Sequence, residues 1–320
     1  MSHNTFTTLK SGLQIPEFGI GTSPFGGLFA AVAESDVREV ITTSMDLGLN
    51  YFDTAPHYGM GSAEDRLGRN ISDFSRDEFI VSTKVGRLIV PSDKNEDPGW
   101  ENSKKSVERV FDFSASGIEK SLTESLERLN MDHVEMVFIH DPDGAADQAI
   151  KEAYPVLERM RDQGIVKTIG VGITSNEIPT RFINETDIDV LLIALRYTLL
   201  DQSAGAHLLP AALKKGVSVI AGGVFNSGIL AGAKEGATYN YEVASPAVLA
   251  RAQKIEAFFN DRGISLAQAA LQFPMRHPAI SAILVGCRSA KEVARNVSLY
   301  NKTINEDIWK EFESFQRLLV

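Results

Sequence analysis

The stretch YFDTAPHYG, residues 51–59, ends a short apolar run with an acid and a phenol. Two later apolar runs have the same form, with an amine or an imidazole as the last residue. The four ionisable groups are Asp53 and Tyr58 in the first run, Lys84 at the end of FIVSTK (79–84) and His140 at the end of VEMVFIH (134–140). In a barrel of parallel strands, the loops after the C-terminal strand ends form one face, so distant groups meet there. Such a set forms a proton-transfer site.

Strand-like and helix-like patterns alternate around these runs along the chain. The eight strand-like runs are FGIGT (18–22), NYFDT (50–54), FIVSTK (79–84), VEMVFIH (134–140), IVKTIGVGI (165–173), IDVLLIAL (188–195), VSVIAGG (217–223) and AILVG (282–286). The predicted helices are one from an N-cap at Ser35 to Gly48, one around Leu67, one opened by Ser114, those near 147–163, 205–215 and 247–262, and two extra helices at 265–277 and 306–319. This alternation predicts an α/β fold, a closed (β/α)8 TIM barrel.

The same pattern predicts one domain over residues 1–320, because barrels of this size form single domains. The opening TFTTLKSGLQIPEFG (5–19) alternates apolar and polar residues around Ser11 and Gly12. It predicts an N-terminal β-hairpin that closes one end of the barrel. A doubly wound open sheet is the alternative, but its G-x-G-x-x-G turn is missing from GIGTSPFGG (19–27), whose glycines have other spacings.

Residues 86–113 form a long polar insertion after the third strand. The insertion is longer than a simple connection requires, and we expect it to be a loop that shapes substrate entry. Two other loops, 23–30 and 222–246, are expected to share in the choice of substrate.

The composition indicates a protein that acts on small molecules. The formal net charge of -10 disfavours nucleic acid and anionic membranes as partners, because both require clustered Lys and Arg. The single cysteine, Cys287, excludes an intrachain disulfide and a cysteine-based zinc site, and we interpret it as a packing residue. The scattered histidines suggest no metal site. No signal-peptide or membrane-spanning pattern is present, so the sequence predicts a cytoplasmic protein. The sequence does not predict its oligomeric state.

Tyr58 is the candidate acid and base. A free phenol has a pKa of about 10, so it needs a nearby cation that stabilises the phenolate, and Lys84 is that cation. We expect Asp53 to hold Lys84 by a charge-assisted hydrogen bond, and His140 to donate to or orient a substrate oxygen. The alternative is a structural ion pair of Asp53 and Lys84, with Tyr58 as a packed aromatic.

Four stretches together carry a family pattern. They are GLNYFDTAPHYGMGSAEDRLGR (48–69), the strand that ends at Lys84, SLERLNMDHVEMVFIHDPD (125–143) and IVKTIGVG (165–172). On these the chain resembles the aldo-keto reductase superfamily over essentially its whole length. The resemblance implies a (β/α)8 barrel in which Asp53, Tyr58, Lys84 and His140 are the catalytic set. It also implies NAD or NADP across the C-terminal face, where hydride moves between the nicotinamide ring and a carbonyl or carbinol carbon.

Four segments are similar to the sugar 1-dehydrogenase branch, described as L-fucose, D-threo-aldose or L-galactose dehydrogenases with pyridoxal 4-dehydrogenase among their relatives. The segments are GIGTSPFGGLF (19–29), PHYGMGSAEDRLG (56–68), RYTLLDQ (196–202) and GGVFNSGILAG (222–232). This likeness implies oxidation of an aldose hemiacetal at C1 to a lactone, with Tyr58 as base and with His57 and Arg196 as substrate contacts. Pyridoxal oxidation, an NADPH-dependent reductase of small aldehydes and a non-enzymatic sensor that binds the cofactor are the alternatives.

The resemblance also implies the cofactor contacts. The Ser-Asn pair of the family is displaced here to Ser175 and Asn176, and Ala194 stands where many relatives carry a Gln. Backbone N–H groups of FNSGILAG fit a pyrophosphate cradle. The expected cradle residues are Asn226, Ser227 and Gly228, and the expected residues of the adenosine end are Gly286, Arg288, Ser289, Glu292 and Asn296.

Glu292 bears on the choice between NAD and NADP. Many NADP-specific relatives carry an Arg at this position, whereas a carboxylate repels a 2′-phosphate and accepts from a free ribose hydroxyl. The sequence therefore leans towards NAD, although Arg288 favours NADP.

Overall fold

The computed structural model describes residues 5–93 and 99–318. Its strands, in chain order, are β1 (Phe6–Thr8), β2 (Gln14–Pro16), β3 (Phe18–Gly21), β4 (Tyr51–Asp53), β5 (Ile80–Val85), β6 (Arg87–Pro91), β7 (Val107–Phe111), β8 (Met136–His140), β9 (Thr168–Ile173), β10 (Val190–Ala194), β11 (Ser218–Gly222), β12 (Thr238–Tyr239), β13 (Glu242–Val243) and β14 (Ile280–Gly286). Its α-helices are α1 (Glu34–Asp46), α2 (Ser62–Ile71), α3 (Ala115–Leu129), α4 (Ala146–Gln148), α5 (Tyr154–Asp162), α6 (Glu177–Glu185), α7 (Leu208–Lys215), α8 (Pro246–Asn260), α9 (Leu266–Gln272), α10 (Ala290–Asn301) and α11 (Glu306–Gln316). A π-helical segment, Ala149–Ala153, joins α4 to α5.

Eight parallel strands close into a barrel in the spatial order β10, β11, β14, β3, β4, β5, β8, β9. Each of the eight predicted runs overlaps one of these strands, so the predicted (β/α)8 barrel is confirmed and the open sheet is excluded. That one domain spans residues 1–320 stays a prediction, since 1–4, 94–98 and 319–320 lie outside the described residues.

Side chains alternate between the two faces of each barrel strand, and this alternation separates two hydrophobic cores. Phe52 on β4 and Ile139 on β8 pack outward, in the core that also contains helix residues such as Val40. Their neighbours Tyr51 and Phe138 lie in a second core that fills the inside of the barrel. The next inward positions, at the C-terminal strand ends, lie above this inner core.

The N-terminal hairpin closes the opposite end of the barrel. Its strands β1 and β2 pair antiparallel as predicted, and Leu9 and Ile15 belong to the inner core. Ser11 Oγ lies 2.7 Å from Thr168 Oγ1 at the start of β9. The C-terminal face is therefore the end that remains open.

The predicted N-cap of α1 is wrong by two residues. The helix begins at Glu34, with Ala33 at the N-cap position, so Ser35 lies in its first turn. The carboxylate of Glu34 accepts hydrogen bonds from Arg66 Nε at 2.8 Å and from Asn70 Nδ2 at 2.7 Å. These bonds to α2 hold the start of the helix, which a local capping pattern does not reveal.

The predicted loop at 86–113 is also corrected, because much of it is regular. Strands β6 and β7 form an antiparallel hairpin with Arg87 opposite Phe111 and Pro91 opposite Val107. The tip at 94–98 lies outside the described residues. After it, Trp100 bridges to Leu28 in the loop that follows β3. The insertion thus folds back onto the open face of the barrel.

Helix α8 and the two extra helices, α9 and α11, cover one side of the barrel with a separate core. Phe259 of α8 packs against Trp309 and Phe312 of α11, with ring centroids 5.6 and 4.8 Å apart. Among residues 5–93 and 99–318, no helix combines the length and apolar character that crossing a membrane requires.

Candidate active site

A cavity of about 580 Å³ opens above the inner core at the C-terminal face. Its size is typical of small-molecule sites. On three adjacent strands, β4, β5 and β8, the inward residues at its base are ionisable, and we call Asp53, Lys84 and His140 the polar arc. On the other five strands they are small, and we call this set the glycine arc: Gly21, Gly172, Ala194, Gly222 and Gly286.

Lys84 lies at the centre of the polar arc. Its ammonium donates to Asp53 Oδ2 at 2.7 Å, to the Thr54 carbonyl oxygen at 2.9 Å and to the Tyr58 hydroxyl at 3.1 Å. The second oxygen of Asp53 accepts from Ser82 Oγ at 2.7 Å. The Lys84 side chain is 1% exposed, so its three donors are used and its position is fixed. The contacts predicted for Lys84 with Asp53 and Tyr58 are both present.

Tyr58 reaches this group from the loop after β4. A Cβ at Gly26 would lie 2.7 Å from the Gly59 nitrogen and from the Tyr58 carbonyl carbon, so only glycine permits this close approach of the two loops. On the other side, the Trp100 ring stacks on the Tyr58 ring with centroids 5.6 Å apart and planes inclined by 18°. The loop contact and the stacked indole together hold the phenol over Lys84.

His140 and His57 lie beside the phenol. The His140 ring centroid is 6.2 Å from that of Tyr58 and 5.9 Å from that of His57. The Nδ1 atoms of both histidines are buried and have no hydrogen-bond partner among the described residues. Both histidines line the cavity, so their rings are placed to contact a ligand.

Burial decides the protonation of the phenol. It raises the pKa of Tyr58 above its usual value, and this outweighs the ammonium of Lys84, which lowers it. Lys84 thus lowers the pKa of Tyr58 as the sequence predicted, but its effect is smaller than that of burial. Although burial opposes the charge of Lys84, the carboxylate of Asp53 and then Tyr58 raise the pKa of the lysine. At neutral pH the group holds an ammonium and a neutral phenol.

Both histidines of the site are neutral. Burial, followed by the charges of Arg87, Arg109 and Lys84, lowers the pKa of His57 to about 2. The pKa of His140 lies well below its usual value, first because of burial and then because of Arg87 and Lys84. A neutral imidazole can donate through one ring nitrogen and accept through the other.

The glycine arc leaves open space opposite the polar arc. A Cβ at Gly172 would lie 3.6 Å from Lys84 Cε, and one at Gly222 would lie 3.6 Å from Leu192 Cδ2. Both distances are ordinary van der Waals contacts, so the surrounding protein does not exclude a methyl group there. The absent side chains instead widen the cavity down to the backbone.

Two of the predicted cradle residues line the cavity, Ser227 and Gly228. Both have positive φ, 65° and 131°. Ser227 Oγ accepts a hydrogen bond from the Tyr241 backbone N–H at 2.8 Å, which ties this turn to the β12–β13 hairpin. The turn therefore has a defined shape beside the cavity.

At the predicted adenosine end, Gly286, Arg288, Glu292 and Asn296 also line the cavity. The Arg288 backbone N–H donates to Glu292 Oε2 at 2.8 Å. The side chain of Asn296 is buried and donates to Cys287 Sγ at 3.5 Å. Burial raises the pKa of Cys287 to about 12, which agrees with its interpretation as a packing residue.

Five of the predicted contact residues lie outside the cavity lining: Ser175, Asn176, Asn226, Ser289 and Arg196. Asn226 is fully buried, where it accepts from the Thr198 hydroxyl and donates to the Leu195 carbonyl oxygen at 3.3 Å. Arg196 donates to the Thr174 carbonyl oxygen at 2.6 Å and pairs with a nearby carboxylate. These side chains hold neighbouring loops together.

Of the remaining three residues, Ser289 and Asn176 bind neighbouring groups as well. Ser289 is the N-cap of α10 and accepts from the Glu292 N–H, while Asn176 donates to Ser203 Oγ at 2.9 Å. The Ser175 hydroxyl is buried without a partner among the described residues. Thr174, one residue earlier, is the position of this segment that lines the cavity.

Sequence reasoning missed several residues of the lining, namely Phe29, Trp100, Asp141, Tyr241 and Arg295. Phe29 and Tyr241 come from the loops after β3 and β11, and their rings stack with centroids 6.3 Å apart and planes inclined by 28°. In the barrel order, β14 lies between these two strands. The ring pair therefore connects the two loops above the end of β14.

Within residues 5–93 and 99–318, no three His, Cys, Asp or Glu side chains are grouped so as to hold a metal ion.

Known proteins resemble this chain along most of its length. The model of the Aldo/keto reductase family matches residues 17–317. A D-threo-aldose 1-dehydrogenase from Pseudomonas sp is 35% identical over 319 residues, which cover 97% of each chain. A pyridoxal 4-dehydrogenase from Microbacterium luteolum is 33% identical over 328 residues, which cover 95% of each chain.

The barrel also resembles solved structures. That of an aldo-keto reductase from Bacillus halodurans superimposes with a TM-score of 0.78, covering 98% of this chain and 96% of the other. The identity between the two is 22%, so this likeness concerns the fold alone.

Proposed function

The chain belongs to the aldo/keto reductase family, and from this membership we propose that it oxidises C1 of an aldose hemiacetal to a lactone. It is an oxidoreductase of a family that uses nicotinamide cofactors. The observation that carries the proposal is the contact of the Lys84 ammonium with both Asp53 and Tyr58 beside His140.

The cavity fits a nicotinamide cofactor. The glycine arc leaves room for a flat ring opposite Lys84. A Cβ added at Gly172 or Gly222 would occupy this part of the cavity. The turn at Ser227 and Gly228 and the residues Arg288 and Glu292 extend the lining away from this point. When bound, the nicotinamide ring supplies the acceptor for the hydride that leaves C1.

Tyr58 takes the proton of the C1 hydroxyl as the C1–H bond breaks, so that the C1–O single bond becomes the lactone carbonyl. Lys84 stabilises the phenolate through its 3.1 Å hydrogen bond, and Asp53 keeps the ammonium charged and in place. Because burial holds the phenol protonated, oxidation becomes faster as pH rises above neutrality.

His140 orients the same oxygen. Its ring is neutral and lines the cavity, so it can hydrogen-bond the C1 oxygen without competing for the proton that Tyr58 takes. His57, next to Tyr58, also lines the cavity and offers a second neutral imidazole to a sugar hydroxyl.

The aldose is proposed because an aldose 1-dehydrogenase is among the most similar relatives, with coverage of nearly the whole chain. The same site could oxidise pyridoxal, as the name of the Microbacterium luteolum relative suggests, or reduce small aldehydes in the opposite direction. NAD is the proposed cofactor because the carboxylate of Glu292 lies in the lining near the adenosine end, although Arg288 and Arg295 lie there too.

A turnover panel tests the reaction. The purified protein would be mixed with NAD or NADP and with L-fucose, L-galactose and pyridoxal, and in the opposite direction with NADH or NADPH and propanal. Reduced cofactor and a lactone should appear with at least one aldose. Oxidation of pyridoxal alone, or reduction of propanal alone, would contradict the aldose proposal. Cofactor fluorescence that changes on binding, without any turnover, would instead indicate the sensor.

The choice of cofactor has its own measurement, kcat/KM for NAD and NADP with the best aldose. NAD should be preferred, and Glu292→Gln should shift the ratio towards NADP by a few-fold because it removes one negative charge facing a 2′-phosphate. Glu152→Gln, on an exposed helix position, is the control. A tenfold or larger preference of the wild type for NADP would overturn the assignment.

A further inference from the structure

Asp141, directly after His140, has an unusual backbone. Its φ is 44°, a left-handed conformation that Asp and Asn adopt more readily than other non-glycine residues. The Asp141 N–H donates to the Gly172 carbonyl oxygen at 2.9 Å. This bond fixes the chain directly after β8 to the end of the neighbouring strand β9. Strained backbone held by its surroundings is concentrated at functional sites.

The Asp141 carboxylate lies at the edge of the polar arc. Its Oδ2 accepts from Arg87 and is 3.5 Å from His140 Nε2, and the Thr174 backbone also donates to the carboxylate. The side chain is 25% exposed and lines the cavity. A carboxylate has about four acceptor positions, so these partners leave capacity for a ligand in the cavity.

Arg87 holds this carboxylate from the first position of β6. Its side chain is 9% exposed, and its guanidinium lies 4.8 Å from the Phe111 ring centroid. Because Arg87 is packed between the ring and the carboxylate, it orients Asp141 and counteracts burial, which raises the pKa of that carboxyl, without itself lining the cavity.

The function of the carboxylate follows from its distance to His140. A substrate whose reacting oxygen contacts His140 presents its next carbon, and any hydroxyl on that carbon, to the neighbouring Asp141. An ionised carboxylate only accepts hydrogen bonds. A substrate hydroxyl donates to the carboxylate. An alkyl group would instead bury the carboxylate without a donor and remove its hydration.

We propose that Asp141 accepts a hydrogen bond from the substrate hydroxyl next to the reacting carbon and thereby selects hydroxylated substrates over unsubstituted aldehydes. This inference deepens the proposed function and rests on it for the position of the reacting oxygen. Asp141 is the residue that contacts the substrate, and Arg87 is a positioning residue that acts through it.

The test compares glyceraldehyde with propanal in the direction of reduction, and the best aldose in the direction of oxidation. Asp141→Asn keeps the size of the side chain and its tolerance of positive φ, so the fold is expected to persist. A hydrogen bond to a charged group contributes about 1.5–3 kcal/mol, or roughly 10- to 150-fold. Asp141→Asn should therefore lower kcat/KM by at least tenfold for glyceraldehyde and the aldose, and by less than threefold for propanal.

Asp143→Asn is the matched control, since Asp143 is exposed two residues further on and outside the cavity lining. It should change none of the three values by more than twofold. Equal losses for glyceraldehyde and propanal in Asp141→Asn would overturn the proposal, as would no loss for either. If the wild type oxidises no aldose, the proposed function fails, but the ratio between glyceraldehyde and propanal still tests Asp141.

Arg87 requires a readout that a structural role alone would not change. Arg87→Met should reproduce the selective loss of glyceraldehyde reduction, and Arg87→Lys should restore at least half of it by keeping a cation against Asp141. Loss of both substrates alike in Arg87→Met, or no restoration by Arg87→Lys, would contradict the positioning role.

Discussion

On three adjacent strands, the last inward side chain at the barrel mouth is ionisable, whereas on the other five strands it is glycine or alanine. One layer deeper, three of these five strands carry large side chains, while Gly19 and Gly170 lie below Gly21 and Gly172. Ile220 lies below Gly222, Leu192 below Ala194 and Leu284 below Gly286, all in the inner core. These three strands therefore accept bulky inward residues two positions earlier, and their small residues at the mouth are a property of the site.

The two arcs differ in what they fix. The polar arc holds charges and protons at defined points by buried hydrogen bonds, and removing one partner of such a pair leaves an uncompensated buried charge. The glycine arc holds no group at all and defines the volume in which a flat molecule can approach those points. Chemistry thus depends on one side of the mouth, and access depends on the other.

The largest effect should come from Tyr58, which is hydrogen-bonded to Lys84 of the polar arc. Tyr58→Phe removes the hydroxyl that carries the proton and keeps the ring that stacks on Trp100, so folding should be retained. Loss of a positioned general acid or base lowers kcat by about 10²- to 10⁴-fold, while cofactor affinity should change little. Steady-state turnover at pH 7 to 10 and a fluorescence titration measure the two quantities.

Tyr197→Phe is the control for this substitution, because Tyr197 packs on Phe273 and lies outside the lining. It should keep nearly full activity. Retention of more than about a tenth of wild-type kcat by Tyr58→Phe, a margin below the usual loss, would show that the phenol is not the base.

The glycine arc should give an intermediate effect on a different quantity. Gly222→Ala places a methyl group in cavity space, with its nearest protein atom 3.6 Å away. Unfolding should be unchanged, whereas overfilling a packed complex costs about 1–3 kcal/mol, which corresponds to roughly 5- to 150-fold weaker cofactor binding. Isothermal titration with NAD and thermal unfolding of the free protein measure the two.

Gly144→Ala serves as the control, because a Cβ at Gly144 meets no atom within 4 Å and the residue is outside the lining. If Gly222→Ala binds cofactor as the wild type does, or if it unfolds several degrees lower, the glycine arc has a structural role and the contrast between the arcs fails.

The smallest effect concerns stability in acid. His57 and His140 have depressed pKa values in the folded protein, while an unfolded histidine titrates near about 6.5. Below that pH the unfolded state binds more protons than the folded state, so stability is present above about pH 6.5 and falls as pH decreases. Each histidine contributes a loss on the order of 1 kcal/mol between pH 7 and 5.5.

Urea unfolding of His57→Asn at these two pH values should therefore show a loss smaller by about 1 kcal/mol than in the wild type. An identical acid loss in His57→Asn and wild type would mean that His57 is charged in the folded protein.

The sequence predicted the polar arc because ionisable residues are conspicuous after apolar runs. Asp53, Lys84 and His140 need only the alternation of strand faces to meet. The glycine arc could not be predicted in this way, since Gly172 and Gly286 carry no group and contribute only by leaving space in the cavity.

Other positions could not be predicted because three-dimensional neighbours decide them. Asn226 and Arg196 have side chains suited to ligands, but nearby backbone carbonyls bind them first. Trp100 lies between the two strands of a hairpin, β6 and β7, that folds back over the mouth, a path that no local pattern specifies. The sequence did contain a signal for Asp141, namely an acid beside His140. Its exposure to the cavity, however, depends on a positive φ, which the sequence pattern does not reveal.

The strength of the ring stack between Phe29 and Tyr241 determines how often the two loops separate. An aromatic pair contributes about 0.5–1.5 kcal/mol, and about 1.4 kcal/mol is a tenfold ratio, so roughly 7–30% of the molecules have this contact broken at any moment if nothing else holds the loops. Loops move within nanoseconds to microseconds, whereas a typical turnover takes on the order of 0.1 s. The two loops would thus separate and rejoin many thousands of times per turnover, too often for their contact to limit the rate.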